Sequence, residues 1–563
     1  NVKIITFGSK DIYFNKNSTS ILNILGKKYK IKKLNINSIQ KENLECAIAC
    51  AIAMNIKINN NLLDIFIKLN ANQKNSNKID KRDRILVLPS SGELFTVIST
   101  MKIGKEVASQ LSANIISIPE YKSCNKVRRC MASFSSLVLN TKLGVVLAMI
   151  MNPIKMIKIF SITRGESLLC LKYKSASIGV HMYDMLLRRN IKATISELSF
   201  KDRAYNLFNY AYIIYVDKVI LKKSPHLVVI TDNTHRLGML FELLREYAIP
   251  CITGIDTSGL SMHYYRTSND YNFHCRTPDK FLVDKLLSDS QCLSLAQIYL
   301  DRRISGSELQ HDALKAYDKK KKKLTLDVLT NKFGYNPSKK VFLVAAHAFT
   351  DSPHTYPGTL FDDYYQWIIA TCKALNKNKN IIFLVKEHPS FENYHESGWL
   401  SEILDSIGCK DRYLSSEVNT SSLFDLVDVI VTCGGTAGME FPCFGVPVVI
   451  ASKPPYYHYG FVTTFKSANA YIKYLEEVVN VPKLSSNDLL TAKIVLFYVN
   501  YLIKVEKKEL GFGSQKFTLD TSVSYKIVLE EFTESLQNQE RRDLFSSHIH
   551  SLLFNDKYNN IIN

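Results

Sequence analysis

Residues 428–460 constrain the fold of this chain more than any other stretch. Two apolar, β-branched runs at 429–431 and 446–450 bracket a Gly/Thr turn and a short helical segment. This spacing is typical of a β-α-β unit, in which both strands belong to one parallel sheet. The sequence therefore predicts an α/β fold.

The turn between these two runs has the composition of an anion site. It ends a strand and begins a helix at about Thr436, so unpaired N–H groups and the positive end of the helix dipole lie above the sheet. We expect Gly434, Gly435, Thr436 and Ala437 to hold phosphate there. Glu440 follows Thr436 by one helical turn on the same side, where its carboxylate can accept two ribose hydroxyls.

A second strand ends in a cation and an imidazole. Lys386 and His388 follow the apolar run 381–385, and Pro389 fixes the backbone beside them. In open α/β sheets, ligands bind at the carboxyl ends of the strands. Both side chains are therefore expected to contact the same ligand as the glycine turn.

Together the two patterns resemble the C-terminal, nucleotide-binding half of GT-B glycosyltransferases. The likeness rests on Lys-Glu-His-Pro at 386–389 and Gly-Gly-Thr-Ala-Gly-x-Glu-(x)4-Gly-x-Pro-Val at 434–448. It is strongest to bacterial capsule and lipopolysaccharide biosynthesis proteins that include the Kdo (3-deoxy-manno-octulosonate) transferases. Residues 341–367 resemble the strand, loop and helix that open this half, and the whole likeness covers 340–475.

The resemblance implies an α/β protein with two Rossmann-like lobes, whose parallel sheets face a central cleft. Residues 1–325 would form an acceptor lobe, 326–490 a donor-nucleotide lobe, and 491–563 C-terminal helices that pack back across the lobes. The length of 563 residues also predicts at least two domains. In the same group a polar turn like Ser415-Ser416 contacts phosphate.

The first lobe is expected to supply a reactive carboxylate. Asp232 is the first choice because it follows the apolar run 227–230 at the ligand edge, and Asp256 and Glu93 are the second and third. Such a group acts as a base on the acceptor hydroxyl or as a nucleophile on the sugar. Inversion and retention therefore both stay open.

We expect catalysis without a metal ion. No Asp-x-Asp follows a strand, and the adjacent pair Asp362-Asp363 lies within a predicted helix. Lys386, His388 and the glycine-turn amides are expected to neutralise the departing phosphate instead.

The net charge and the cysteine content limit which partners and which cellular compartment are expected. Lys and Arg number 72 against 52 acids, a net charge of +20, which favours anionic partners. The chain lacks the aromatic and basic interleaving of single-strand or RNA-binding modules, so no nucleic acid is expected as a partner.

The lysine run 319–323 is predicted to be a solvated hinge between the lobes. Twelve scattered cysteines without a Cys-x-x-Cys pair indicate reduced thiols and a cytoplasmic protein.

The apolar stretch 135–162 is interrupted by Lys142, Asn152, Pro153, Lys155 and Lys158, which argues against a membrane-spanning helix. Two alternatives remain open for it: a buried helix pair, or an amphipathic surface that lies on an anionic bilayer.

The predicted activity is glycosyl transfer, and no cofactor is expected beyond the nucleotide-sugar substrate. By resemblance, the donor is a CMP-activated acidic sugar such as Kdo, and the acceptor is a bacterial surface glycan, free or lipid-linked. A sugar-nucleotide epimerase and a polyol-phosphate polymerase are alternatives, because they share the His-Pro and Gly-rich strand ends. A non-catalytic polyanion-binding protein is a further one.

Overall fold

The structure is a computed structural model that describes residues 84–89, 94–120, 125–256, 259–267, 269–274, 276–307, 311–503 and 505–506, with short segments at 5–7, 10–12, 20–24, 27–31, 546–547, 549–550 and 553–554. The chain divides into two compact units, residues 1–82 with 146–158 and residues 83–145 with 159–563.

The described strands of the first unit form two antiparallel hairpins. They are β1 (Ile5–Phe7), β2 (Lys10–Ile12), β3 (Ser20–Ile24) and β4 (Lys27–Ile31). Residues 146–158 of this unit belong to two consecutive helices, Thr141–Met151 and Pro153–Phe160.

The second unit contains two sheets. Their strands are β5 (Arg84–Leu88), β6 (Asn114–Ser117), β7 (Leu137–Val138), β8 (Leu227–Ile230), β9 (Cys251–Asp256), β10 (Gly259–Tyr265), β11 (Lys340–Ala345), β12 (Ile381–Lys386), β13 (Tyr413–Leu414), β14 (Val429–Thr432), β15 (Val448–Ile450), β16 (Val462–Thr463) and β17 (Val505–Glu506).

The sheet nearer the N-terminus has the order β17-β10-β9-β8-β5-β6-β7. Its strands from β9 to β7 are parallel, and β10 and β17 add an antiparallel edge. The other sheet has the order β13-β12-β11-β14-β15-β16 and is parallel throughout. The predicted α/β fold with two Rossmann-like lobes is confirmed.

Helices alternate with these strands. Before β11 in sequence the helices are Leu94–Gln110, Asn125–Phe134, Thr141–Met151, Pro153–Phe160, Gly165–Leu169, Gly179–Asn190, Phe200–Lys223, His235–Glu246, Lys280–Leu287, Ser290–Ile304, His311–Ala316 and Leu326–Phe333. Further along they are Tyr364–Lys377, Trp399–Ser406, Ala437–Glu440, Ala468–Glu477 and Ser486–Phe497.

The central strands are buried on both faces, which explains their continuous apolar sequences. Every residue of β8, β12 and β14 is buried. Helix caps fix the connections: Ser199 forms a capping box with Asp202 at the start of Phe200–Lys223. Asp363 accepts a hydrogen bond from the Gln366 N–H and is the N-cap of Tyr364–Lys377. The prediction that Asp363 lies inside that helix is therefore wrong by one position.

Helices from the middle of the chain pack on the second sheet. Leu286, Leu300 and Leu329 share one core with Leu343 and Ile430. Lys280–Leu287 and Ser290–Ile304, which fall within the predicted span 1–325, therefore contribute to the second lobe's core. The domain limits 1–325, 326–490 and 491–563 themselves stay predictions.

The chain then returns to the first sheet. Val505 and Glu506 pair with Leu260 and Gly259 of β10, and Ile549 is buried in the first-lobe core.

Among the described residues, no single helix is long and apolar enough to cross a membrane; Thr141–Met151 and Pro153–Phe160 reach that length and composition only as a pair bent by 89°. In this pair Ile154 is 79% exposed and Ile157 70% exposed. Met156 and Ile159 of the same helix are buried, so the buried helix pair and the amphipathic surface both stay predictions.

Candidate functional site

The order of the second sheet defines where a ligand is expected. From β11 the chain first adds β12 and β13 on one side, and then β14 to β16 on the other. The point where the direction reverses lies between β11 and β14, and ligands of open α/β sheets bind in the crevice at such a point. The loop 346–363 after β11 therefore lies between the two turns that the sequence singled out.

The glycine turn after β14 serves the packing of the protein itself. The Gly434 N–H donates to His347 Nε2 at 3.3 Å, and the Gly435 N–H donates to Thr432 Oγ1 at 3.1 Å. A Cβ on Gly434 would lie 2.7 Å from the Tyr356 ring, which requires glycine here.

Two of the backbone N–H groups predicted to bind phosphate are still available as hydrogen-bond donors. The amides of Thr436 and Ala437 donate no hydrogen bond within the described part of the chain. Of the four residues predicted to hold phosphate, these two offer unused N–H groups.

Burial lowers the pKa of His347 to about 3, so its ring is neutral and accepts the hydrogen bond from the Gly434 N–H.

Glu440 forms an ion pair with Arg303, a residue that no sequence motif marks. Arg303 Nε lies 2.6 Å from Glu440 Oε1, and both side chains are buried. Arg303 also donates to the Tyr299 hydroxyl at 3.3 Å. The ribose contact of Glu440 stays a prediction, and one of its oxygens already holds a guanidinium. The Arg303 position in the sequence, near the end of a helix, gave no signal of this pairing across 137 residues.

Lys386 carries a buried ammonium without a hydrogen-bond partner in the described structure. Its residue is 6% exposed and its Nζ is unsatisfied. Burial, followed by the charge of Lys321, lowers the pKa of Lys386 to about 7. The charges of Glu387 and Glu417 act in the opposite direction, but no described residue is hydrogen-bonded to Nζ. A buried ammonium without a hydrogen-bond partner is costly, so this position favours an anionic ligand.

The lysine run 319–323 contacts the turn after β13. Lys321 donates to the Ser416 carbonyl at 2.7 Å, and the Lys322 N–H donates to the Glu417 carbonyl at 3.2 Å. Part of the run therefore lies along the turn after β13, beside Lys386. The other four lysines of the run are exposed, as a solvated segment requires, and its role as a hinge stays a prediction.

Ser415 and Ser416 are brought close to Lys386 by strand register. Lys386 pairs with Leu414, the residue before Ser415. The Ser415 hydroxyl accepts the Glu417 N–H at 3.1 Å, whereas Ser416 is buried and offers its carbonyl to Lys321. The predicted cation and the predicted polar turn thus lie side by side.

His388 presents one nitrogen to the site. Its Nδ1 accepts the Ser390 N–H at 3.2 Å, which fixes the tautomer with a proton on Nε2. Burial lowers the pKa of His388, with Asp312 and Asp351 acting in the opposite direction. No described residue is hydrogen-bonded to Nε2. A neutral N–H donor therefore remains for a ligand.

In the first lobe, Asp232 lies directly after β8 and its neighbour Thr231. Its Oδ1 accepts from the Thr234 N–H at 2.9 Å and from the Thr234 hydroxyl at 2.7 Å. Its Oδ2 has no hydrogen bond to a described residue. Burial raises the pKa of Asp232, and the nearby charge of Glu120 raises it further. The side chain thus combines a fixed orientation with one available oxygen.

The other two predicted carboxylates cannot be placed in the same way. Asp256 ends β9, and its side chain lies outside the described part. Glu93 also lies outside the described residues.

Glu120 is a further acidic residue near Asp232 that the sequence did not indicate. It forms an ion pair with the buried Arg236 at 3.0 Å and acts electrostatically on Asp232.

Direct contacts join the two lobes beside Asp232. His235 Nε2 lies 3.0 Å from Ser352 Oγ, and the Tyr183 hydroxyl donates to Asp363 Oδ2 at 2.7 Å. His354 Nδ1 lies 2.7 Å from Asp184 Oδ1. The carboxyl ends of the two sheets therefore meet through the loop 346–363, for which the sequence pattern predicted no role.

Within the described part of the chain, no cluster of three or more His, Cys, Asp or Glu side chains is arranged to hold a metal ion. Metal independence stays a prediction.

No protein-family model matches the chain, and no curated protein matches it significantly. Solved structures that resemble it include the KpsC β-Kdo 2,4-transferase of Thermosulfurimonas dismutans, at 14% identity and a TM-score of 0.29, over 49% of this chain and 80% of that one. They also include UDP-GlcNAc 2-epimerases. The Neisseria meningitidis enzyme, bound to UDP-GlcNAc, has 12% identity and a TM-score of 0.21 over 74% of this chain and 99% of that one. The Methanocaldococcus jannaschii enzyme has 11% identity and a TM-score of 0.25 over the same two shares. The chain is thus similar to both Kdo transferases and sugar-nucleotide epimerases, and these likenesses assign neither activity to it.

Proposed function

We propose that this chain is a glycosyltransferase that moves a sugar from a nucleotide donor onto a glycan acceptor. The donor nucleotide binds the second lobe, and the acceptor approaches from the first. The finer proposal is that the donor is a CMP-activated acidic sugar such as Kdo.

The observation that carries this proposal is the unsatisfied ammonium of Lys386. A buried lysine that lacks a hydrogen-bond partner destabilises the fold, and a bound phosphate would satisfy it. The nearby Lys321 adds positive charge, and the His388 Nε2–H adds a neutral donor. This set stabilises the negative charge that develops on a departing phosphate without requiring a metal ion.

Asp232 supplies the reactive carboxylate. Its hydrogen bonds to Thr234 hold the side chain while Oδ2 stays available. This oxygen can act as a base on the acceptor hydroxyl or as a nucleophile on the sugar. Both stereochemical courses remain compatible with this geometry.

The acceptor proposal is a bacterial surface glycan, free or lipid-linked. Its lipid-linked form would be reached at an anionic membrane from the cytoplasmic side. The net charge of +20 supports attraction to such a surface.

A donor panel tests the activity. CMP-, UDP- and GDP-sugars are incubated with the protein and glycan acceptors, and the released nucleotide and the product are measured by mass spectrometry. We expect CMP release and an acceptor heavier by one sugar. The Lys386→Met variant should lose most of this turnover, whereas Lys373→Met, which removes an exposed lysine from Tyr364–Lys377, should keep it.

The same panel identifies the alternatives. Interconversion of a UDP-sugar without transfer would establish an epimerase. Chain growth by polyol phosphate from a CDP-polyol, with release of CMP, would establish a polyol-phosphate polymerase. Binding of polyanions with no turnover of any donor would contradict the enzyme proposal.

A further inference from the structure

His354 and Asp184 form a buried pair that joins the two lobes. Asp184 lies on the first-lobe helix Gly179–Asn190 and is 1% exposed. His354 lies in the loop after β11, in the short 3₁₀ segment Pro353–Thr355. Its Nδ1 is 2.7 Å from Asp184 Oδ1, and its backbone N–H donates to Asp184 Oδ2 at 3.2 Å.

This double contact fixes the imidazole. Because both carboxylate oxygens hold the same residue, the ring cannot rotate without losing a hydrogen bond. A carboxylate that accepts from Nδ1–H selects the tautomer in which Nε2 carries a lone pair. No described residue is hydrogen-bonded to Nε2, and the His354 side chain retains 12% exposure. The ring therefore offers one base nitrogen, and it does so at the point where the second sheet reverses direction.

We propose that His354 is a catalytic base for the acceptor hydroxyl and that Asp184 is its positioning residue. This inference rests on the proposed glycosyltransferase function. The acceptor O–H proton passes to His354 Nε2 as the acceptor oxygen bonds to the anomeric carbon. In direct displacement, the bond from that carbon to the phosphate oxygen breaks, and its electron pair leaves with the nucleotide. If Asp232 first forms a glycosyl adduct, the bond broken in this step is instead the one to Asp232.

The charged surroundings of His354 come from both lobes. Burial lowers the pKa of His354, and Asp184, Asp363 and Asp362 outweigh this effect, so the net shift is upward. His181, on the same helix as Asp184, is kept neutral because burial lowers its pKa to about 4. The imidazolium formed by proton transfer is therefore stabilised mainly by Asp184, as in other carboxylate–histidine pairs.

A matched control exists on the neighbouring residue. The Tyr183 hydroxyl also crosses between the lobes, donating to Asp363 and accepting from the Ile195 N–H at 3.0 Å. Tyr183→Phe removes an interlobe hydrogen bond of similar burial and keeps the ring, which packs edge-on against the imidazole at 6.2 Å between centroids. This variant therefore distinguishes the effect of losing an interlobe hydrogen bond from the effect of losing the catalytic base.

The experiment compares His354→Ala, Asp184→Asn and Tyr183→Phe with the parent on the donor identified by the panel. We expect His354→Ala to lose a hundredfold or more in turnover and to regain part of it with added imidazole. Asp184→Asn should also lose activity, because an asparagine N–H donor to Nδ1 selects the opposite tautomer. Tyr183→Phe should stay within a few-fold of the parent. Equal losses in all three variants, with lowered melting temperatures and no imidazole rescue, would overturn the proposal in favour of a structural clasp.

A second measurement does not depend on turnover. Diethyl pyrocarbonate modifies accessible unprotonated imidazoles, and the modified residue is located by peptide mass spectrometry. We expect modification of His354 but not of the buried His181 in the parent. If no donor is turned over, the proposed function fails while this arm still reports on His354. An unreactive His354 in the folded parent, at a pH high enough to deprotonate the imidazole, would overturn the inference by itself.

Discussion

The guanidinium of Arg303 and the carboxylate of Glu440 form an ion pair at 2.6 Å inside the core of the second lobe. Arg303 is 1% exposed and Glu440 is 5% exposed, so neither charge is compensated by water. The pair links the helix Ser290–Ile304 to the segment that follows the glycine turn. Its presence changes what a substitution at Glu440 is expected to do.

Glu440→Ala should destabilise the fold as well as weaken nucleotide binding. Removing one member of a buried pair leaves an uncompensated charge, at a cost of about 3–5 kcal/mol. Loss of the predicted ribose contact would add roughly 1–3 kcal/mol to the binding free energy. Urea unfolding measures the first and calorimetry the second. The double variant Arg303→Met/Glu440→Leu should regain most of the stability; unchanged nucleotide affinity in that folded double variant would contradict the ribose contact.

Lys386→Met should stabilise the protein and weaken its affinity for anions. Burial lowers the folded-state pKa of Lys386 to about 7, whereas an unfolded lysine has a pKa of about 10.4. Between these values the unfolded chain binds more protons, so the parent's stability rises with pH, and this lysine contributes up to about 1.4 kcal/mol per pH unit. Below pH 7 its destabilisation is constant.

The measurement is the unfolding free energy of the parent and of Lys386→Met from pH 7 to pH 10. The difference between them should shrink as the pH rises. A difference that does not change with pH would show that the ammonium has a partner in solution.

Asp232→Asn should keep the fold and nucleotide binding while turnover falls about a hundredfold or more. Asparagine Oδ1 can still accept both hydrogen bonds from Thr234, so the melting temperature should not change. Near-normal turnover would instead move the catalytic role to Asp256 or Glu93. A sugar adduct on Asp232 in the parent, detected by mass spectrometry, would establish a retaining, double-displacement course.

Turnover should survive a chelator. Lys386, His388 and the free amides of Thr436 and Ala437 are expected to neutralise the phosphate without a cation. The measurement is the donor turnover before and after incubation with EDTA. Loss of activity that magnesium restores would show that a metal ion takes part.

The sequence predicted the strands better than the contacts between them. Apolar β-branched runs mark β8, β11, β12 and β14 because a strand buried on both faces tolerates little else. Strand ends therefore placed Asp232 and Lys386 at the correct edges.

Partners distant in sequence were not predictable. The pairing of Arg303 with Glu440 depends on a helix that packs across the expected domain limit. The role of Gly434 depends on Tyr356 and His347, which reach it from a different loop. Such contacts are set by tertiary packing, and no local pattern of apolar or turn residues encodes them.

The pairing of β17 with β10 has a consequence for biosynthesis. Leu260 and Val505 are neighbours in the first sheet, yet the strands β11 to β16 lie between them in sequence. Non-local strand pairings of this kind form late in folding, because the entropic cost of closing a long loop comes before the stabilisation that the contact gives. On the ribosome, the β10 edge of the first sheet must therefore stay unpaired until the second sheet has been translated. During that interval it is exposed to association with other nascent chains.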